Sequence, residues 1–511
     1  MSNNSYRVLA FSLVFASASL AQRAESCAAM KRFSAPGLAL EITKTEWKAA
    51  VDSGPIRLPA HCRVDGILDR RTGVAGKPYG IQFAVALPDE WNGSFLMQGG
   101  GGLNGTVSPP VGPVAAGGRP ALSRGFAVAS TDTGHQGRVF DGSFLADQQA
   151  ALDFAYVAIG RVAQLAKQIV VSYYSKPANH SYFTGCSTGG REAMIMTQRY
   201  PSYFDGVISG APAMRTGYSN LADRWMVTML NRVAPKDPEG KPQAAKALTA
   251  GEKKTIMDAL LEACDANDGL RDGAIWNPRD CRFDVKTLVC KAAKSDSCLT
   301  AEQAAAIEQG LAGPRTSRGA AVYSPFPWDT GPTAGGQGAI PGLLNPGPSP
   351  VGPPQTATEM DVDAAAAGIA GDPQVRLTDS TWINLSSFSA HGGKLLFFHG
   401  MSDPWFSALD TLDYYQRMTK SNGGLETVSP WSRIFLVPSM GHCGGGEGAM
   451  DNFDLLSAMV AWVERNQAPE SVVATSRSKP GRSRPLCAYP KHAHYAGNGD
   501  PEKAENFVCR E

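Results

Sequence analysis

Three residues of this chain have the types and the order needed for acyl transfer. Ser187 stands in the run FTGCSTGGREAMIM, residues 183–196, between Gly185 and Gly189. A serine hydroxyl attacks a carbonyl poorly unless a base takes its proton, and a histidine oriented by a carboxylate is such a base. Both partners occur downstream: Asp403 in GKLLFFHGMSDPWFSALD and His442 in SRIFLVPSMGHCGGG. Each is weak by itself. Glycine makes up 55 of 511 residues, so a Gly-x-Ser-x-Gly match can arise from composition alone. A single aspartate more often caps a helix, and a single histidine more often sits solvated in a loop.

The segments around these residues strengthen the reading. HSYFTG before the serine reads as a short apolar strand, and REAMIMTQRY after it reads as a helix. Strand, Gly-flanked serine and helix form the tight turn that lifts a nucleophile out of an α/β-hydrolase sheet. The glycines permit the turn, and the helix points its N-terminal amides at developing negative charge. Asp403 follows an apolar strand, Leu395 to Phe398, and His442 follows another, Ile434 to Val437. Helix-like segments, FSALDTLDYYQRM and NFDLLSAMVAWVERN, come next in each case, which is the βα alternation of a parallel sheet. The expected fold is α/β, with a mostly parallel hydrolase core. Between Ser187 and Asp403 lie 215 residues, too many for one βα connection. The chain is therefore expected to leave the core at about residue 214 and return at about 379, the excursion forming a lid between core segments 22–213 and 380–511. It carries the Pro/Gly-rich stretch GPTAGGQGAIPGLLNPGPSPVGPPQT, which has little capacity to form a core and is expected on the surface.

Residues 1–21 carry Arg7, an apolar stretch from Val8 to Phe15 and a small-residue ending, the pattern of a secretory signal peptide. No later segment reads as a membrane span, and a formal net charge of +1 without a basic run disfavours nucleic acid as a partner. A secreted protein, periplasmic or extracellular, is expected. Ten cysteines in an exported chain point to disulfides. Proximity in sequence favours Cys264 with Cys281, Cys290 with Cys298 and Cys487 with Cys509. Cys186 directly precedes Ser187 and Cys443 directly follows His442, so a serine and histidine in contact would bring these two cysteines together. A Cys186 to Cys443 bridge is expected, two buried free thiols being the alternative.

The motifs GCSTGGREAM, FFHGMSDPWFSALDT, LVPSMGHCGGG, LPDEWNGSFLMQGGGGLNG and RPLCAYP together resemble the tannase and feruloyl esterase family of α/β-hydrolases. Within it the chain looks close to the mono(2-hydroxyethyl) terephthalate hydrolase branch. The resemblance covers the mature chain apart from parts of the middle. It implies Ser187 as nucleophile, Asp403 as acid, His442 as base and a bridge from Cys186 to Cys443. It also implies an oxyanion hole from the amides of Gly102 and Thr188, and Phe406 as a pocket residue. The stretch CDANDGLRDGAIWNPRDC reads from spacing alone as a solvated acidic turn, since it is no EF-hand. The resemblance implies instead a structural calcium held by Asp265, Asp268 and Asp272 with the carbonyls of Leu270 and Ala274, and no cofactor for catalysis.

The expected activity is hydrolysis of small aromatic carboxylic esters. A secreted lipase or peptidase would use the same triad, and a silent binding protein would be expected to have lost one of its members. Two departures from the terephthalate monoester branch bear on substrate. Thr188 stands where that branch has a glutamate, and no segment aligns with its carboxylate-clamping arginine. Arg315, Arg318 and Arg376 are present, but the sequence places none of them over the site. Tyr323, Phe326 and Trp328 are candidates for further aromatic contact with substrate.

Overall fold

The computed structural model describes residues 21–53, 56–112, 118–278, 280–331, 342–344, 346 and 355–511. The expected signal peptide, all but its last residue, and most of the Pro/Gly-rich stretch lie outside the described residues. The fold is α/β, and the chain divides into two compact units, residues 1–114 with 119–183 and residues 115–118 with 184–511.

The first unit contains β1 (Leu40–Lys48), β2 (Val51–Ser53), β3 (Ile56–Leu58), β4 (His61–Thr72), β5 (Pro78–Pro88), β6 (Ser94–Gln98) and β7 (Ala127–Thr131). Within it the sheet order is β1-β4-β5-β7-β6. The β6–β7 pair is parallel, while β1, β4, β5 and β7 pair antiparallel. Parallel pairing therefore begins only at β6. The helical stretch Gln148–Tyr174, 27 residues with an 18-residue window of mean hydropathy 1.2, is by length and composition long and apolar enough to cross a membrane, which the sequence reading overlooked. Its apolarity has another use here, because 61% of that window is buried inside the protein.

β8 (His180–Cys186) begins in the first unit and ends in the second. In the second unit β9 (Gly206–Gly210), β10 (Lys394–Gly400) and β11 (Ser432–Val437) pair parallel in that order. β10, with the sequence KLLFFHG, is buried from Leu395 to Gly400, as a strand covered on both faces must be. The helices expected after the strands form at Thr188–Arg199, Ala408–Ser421 and Leu455–Arg465. A Cβ on Gly190 would come within 2.2 Å of the Gly210 carbonyl oxygen, so the first of these helices approaches β9 through a residue that has no side chain.

β9 and β10 are neighbours in space, yet 183 residues separate them, from Ala211 to Gly393. This insertion contains the helices Thr216–Val233, Ala250–Cys264 and Ala301–Ala312, the last two opened by capping boxes, Thr249 with Glu252 and Thr300 with Gln303. These reciprocal bonds satisfy helix amides that have no partner within the helix. The insertion has a core of its own around Met226, Leu230, Ile256, Ile307 and Leu311. Leu343 and Leu344, from the Pro/Gly-rich stretch expected on the surface, are buried in that core. After β11 the chain adds β12 (Asn452–Phe453), β13 (Ser471–Thr475) and β14 (Ser483–Cys487) as an antiparallel sheet, then the hairpin of β15 (His492–Tyr495) and β16 (Phe507–Arg510).

All ten cysteines are paired. The three local bridges expected from sequence form, as does Cys186–Cys443, and Cys27 pairs with Cys62.

Candidate active site

Ser187 sits on the turn between β8 and the helix Thr188–Arg199 with φ 65° and ψ −124°, a conformation that costs a non-glycine residue free energy. The surroundings hold it there. The Ser187 amide donates to the Gly210 carbonyl at 3.0 Å, and the Ser187 carbonyl accepts from the amides of Arg191 at 3.0 Å and Ala213 at 3.1 Å. A Cβ on Gly185 would meet the Gly189 carbonyl oxygen at 2.4 Å, so the turn closes only with glycine at 185. Thr188 is the first residue of the helix, at the positive end of its dipole, and is buried.

Asp403 and His442 come together. They project from the loops after β10 and β11, and His442 Nδ1 donates to Asp403 Oδ2 at 2.7 Å. The other carboxylate oxygen, Oδ1, accepts the amides of Trp405 at 2.9 Å and Phe406 at 3.1 Å. Burial alone would raise the Asp403 carboxyl, but the charge of His442 and the hydrogen bonds of His399 and His442 outweigh it and hold the group below the usual carboxylate range. Trp405 and Phe406 flank the His442 ring, with centroids 5.2 and 5.3 Å away. The Cys186–Cys443 bridge, with Cα atoms 6.0 Å apart at a sequence separation of 257, places the residue before Ser187 against the residue after His442.

Sequence reasoning missed His399. It is fully buried at the end of β10, and its Nε2 lies 3.2 Å from Asp403 Oδ2 and 2.9 Å from the Phe406 carbonyl oxygen. Both neighbours are acceptors, so Nε2 carries a proton, while Nδ1 meets the Thr411 hydroxyl at 2.9 Å. Asp403 thus receives two imidazole donors on one oxygen. The available signal was a titratable residue inside the otherwise apolar run LLFFHG. Asp223, on the helix Thr216–Val233, was also missed. Burial first, then the charge of Asp403, push its carboxyl well above the ordinary value.

The other expected site residues fare as follows. Gly102 lies in the first unit with φ 56°, where a Cβ would come within 2.5 Å of Val139 Cγ1, so the backbone there requires glycine. Tyr323 is used internally, its hydroxyl oxygen accepting the Ser407 amide at 3.2 Å. Phe326 and Trp328 line a cavity of about 420 Å³ with Met401, Leu409 and Leu412; Ser187, His442 and Phe406 are not among its lining residues. Arg315 is exposed and donates to the Gly319 carbonyl at 3.0 Å. Arg215, closer in sequence to the elbow, is committed to an ion pair with Asp410.

In the acidic loop Asp265 accepts the amides of Asp272 at 3.1 Å and Gly273 at 3.0 Å. Asp272 Oδ2 accepts from the fully buried Arg484 at 2.5 Å. Asp268 Oδ2 is buried with no hydrogen-bond partner, and burial is the largest of the effects that push this carboxyl up to about 7. Among the described residues no three His, Cys, Asp or Glu side chains gather as a metal site, so a cation here would have to draw on backbone carbonyls. The orphaned oxygen of Asp268 fits such a cation, and the Arg484 contact on Asp272 competes with it.

Residues 62–345 and 355–510 match the family model described as tannase and feruloyl esterase. The chain is 36% identical to mono(2-hydroxyethyl) terephthalate hydrolase of Piscinibacter sakaiensis, over 93% of this chain and 89% of that protein. It is 32% identical to a probable feruloyl esterase B-2 of Aspergillus terreus, over 84% of this chain and 83% of that one. The crystal structure of feruloyl esterase B from Aspergillus oryzae superposes with a TM-score of 0.77 at 25% identity, covering 96% of this chain and 100% of that one.

Proposed function

The chain belongs to the tannase and feruloyl esterase family and is a carboxylic ester hydrolase, and from that premise we propose that it cleaves esters of aromatic, phenolic acids through an acyl-enzyme on Ser187. His442 takes the serine proton as the hydroxyl attacks the ester carbonyl, and Asp403 holds the imidazole with Nδ1 as donor so that Nε2 can serve as base. The amide of Thr188, at the N-terminus of the helix that follows the nucleophile, receives the oxyanion, such a donor contributing roughly 3 kcal/mol to the transition state. His442 then protonates the departing alcohol, and water, activated by the same imidazole, releases the acid. The observation that carries this reading is the 2.7 Å bond from His442 to a carboxylate whose second oxygen is fixed by two amides, next to a disulfide that ties the base loop to the serine elbow. Phe406, beside His442 and 8% exposed, supplies aromatic contact. Five disulfides suit an oxidising compartment, and we assign residues 1–21 the role of a signal peptide that delivers the chain there. Residues 214–379 act as the lid.

A second reading, hydrolysis of a terephthalate monoester, is favoured by the 36% identity to an enzyme of that name. The two differ in what must be done with a free carboxylate on the substrate. Thr188 offers no charge, Arg215 is paired with Asp410, and Arg315 bonds within its own exposed turn. A substrate carboxylate left without a charged partner costs about 2 kcal/mol, a factor of roughly 30. Neutral alkyl gallates or hydroxycinnamates are therefore expected to show a kcat/KM at least tenfold above that of the terephthalate monoester. Measuring both side by side decides between the readings, and a preference for the monoester would establish the second.

The structural calcium implied by the family resemblance is proposed here on Asp268 with the carbonyls of Leu270 and Ala274, since Asp265 already accepts two loop amides and Asp272 is held by Arg484. Chelator treatment followed by dialysis is expected to lower Tm by about 5 °C, and added calcium to restore it. An unchanged Tm would mean that the loop is held by Arg484 and its amides alone.

A further inference from the structure

Asp329 lies in the insertion, in the run FPWDTG, and is fully buried. Its Oδ2 accepts two hydrogen bonds at 2.7 Å, one from the Ser402 hydroxyl and one from the Ser439 amide. Ser402 directly precedes Asp403, and Ser439 lies three residues before His442. One carboxylate oxygen therefore receives a donor from the acid loop and a donor from the base loop. The next two residues repeat the pattern. The Thr330 hydroxyl donates to Ser439 Oγ at 2.7 Å, and the Gly331 amide donates to Ser402 Oγ at 2.9 Å. A Cβ on Gly331 would stand 2.1 Å from Ser402 Cβ, so the approach leaves no room for a side chain. Ser439 has φ 61°, a left-handed conformation that its amide bond to Asp329 helps to hold. The two loops also meet directly, through the Ser402 amide on the Met440 carbonyl at 2.9 Å.

We propose that Asp329 is a positioning residue for ester hydrolysis: by accepting from Ser402 and Ser439 on one oxygen, it fixes the spacing of the loops that carry Asp403 and His442. The triad is then in register only while residues 329–331 of the insertion are seated against both loops, so the insertion supports the chemistry as well as any contact with substrate. The inference rests on the assignment of Asp403 and His442 as acid and base. Misplacing a catalytic pair by about 1 Å can cost about 10²-fold in rate.

The test uses the full-length protein and two substrates, a small chromogenic acetate ester and an aromatic acid ester. Asp329→Ala is expected to lower kcat about 30-fold on both, with KM changed less than threefold. Asp329→Asn, which keeps a carbonyl oxygen for the two donors, is expected to recover most of that loss. Parental kcat in the alanine variant, a loss confined to KM for the aromatic ester, or equal impairment in the asparagine variant would each overturn the proposal. Should Asp329→Ala not fold, Ser402→Ala removes one arm only and is expected to lower kcat severalfold on both substrates; an unchanged kcat would also overturn it. Ser187→Ala assayed in parallel separates the two claims, because turnover surviving in that variant would refute the esterase assignment itself.

Discussion

Ser187→Ala is expected to fold like the parent and to lose about 10⁵-fold in kcat on every ester the parent cleaves. The change removes one oxygen from a half-exposed turn whose backbone is held by Gly210, Arg191 and Ala213, so packing has little to lose. Relief of the strained φ of 65° is not expected to flatten the turn, since alanine meets the same three backbone bonds. Residual turnover should come from the oxyanion donors and from binding alone. Circular dichroism and thermal melting establish folding, and initial rates on a chromogenic aromatic ester give the loss. A folded variant with near-parental turnover would show that the elbow serine is not the nucleophile.

Asp403→Asn is expected to cost about 10⁴-fold in kcat with the fold intact. The aspartate accepts on all sides: two imidazole donors meet Oδ2 and two amides meet Oδ1. An asparagine amide has one acceptor oxygen, so one pair of donors must face its NH₂ group. If the NH₂ faces the amides of Trp405 and Phe406, the loop is strained. If it faces the histidines, His442 is driven to the tautomer with its proton on Nε2, which cannot take the proton of Ser187. The measurement is kcat for Asp403→Asn against the parent on the same ester, with melting temperature as the control for folding. A loss of less than tenfold would remove Asp403 from the role of orienting acid.

The catalytic order could be read from sequence because each candidate residue follows an apolar strand and precedes a helix. Strand ends of a parallel sheet gather in space even when they lie hundreds of residues apart. The cysteines beside Ser187 and His442 added a long-range constraint that single residues rarely give. His399 and Asp329 escaped the same reading. The role of His399 depends on β10 turning its last side chains toward the Asp403 loop, and that of Asp329 on the fold of an insertion with no periodic signal near residue 329. The core of the insertion escaped as well, since Leu343 and Leu344 stand among prolines and glycines that indicate surface. The long helix in the first unit is hard to see in the sequence because three charged residues, Asp153, Arg161 and Lys167, interrupt its apolar stretch.

The most direct test of the central claim is to map the covalent intermediate. Protein treated with a slowly released aromatic acyl ester, or with a fluorophosphonate, is digested unreduced and analysed by mass spectrometry. The account predicts one adduct, on Ser187, in a peptide linked through Cys186 to Cys443, and no adduct in Ser187→Ala. An adduct on a different residue, or stoichiometric labelling that persists in the alanine variant, would contradict it.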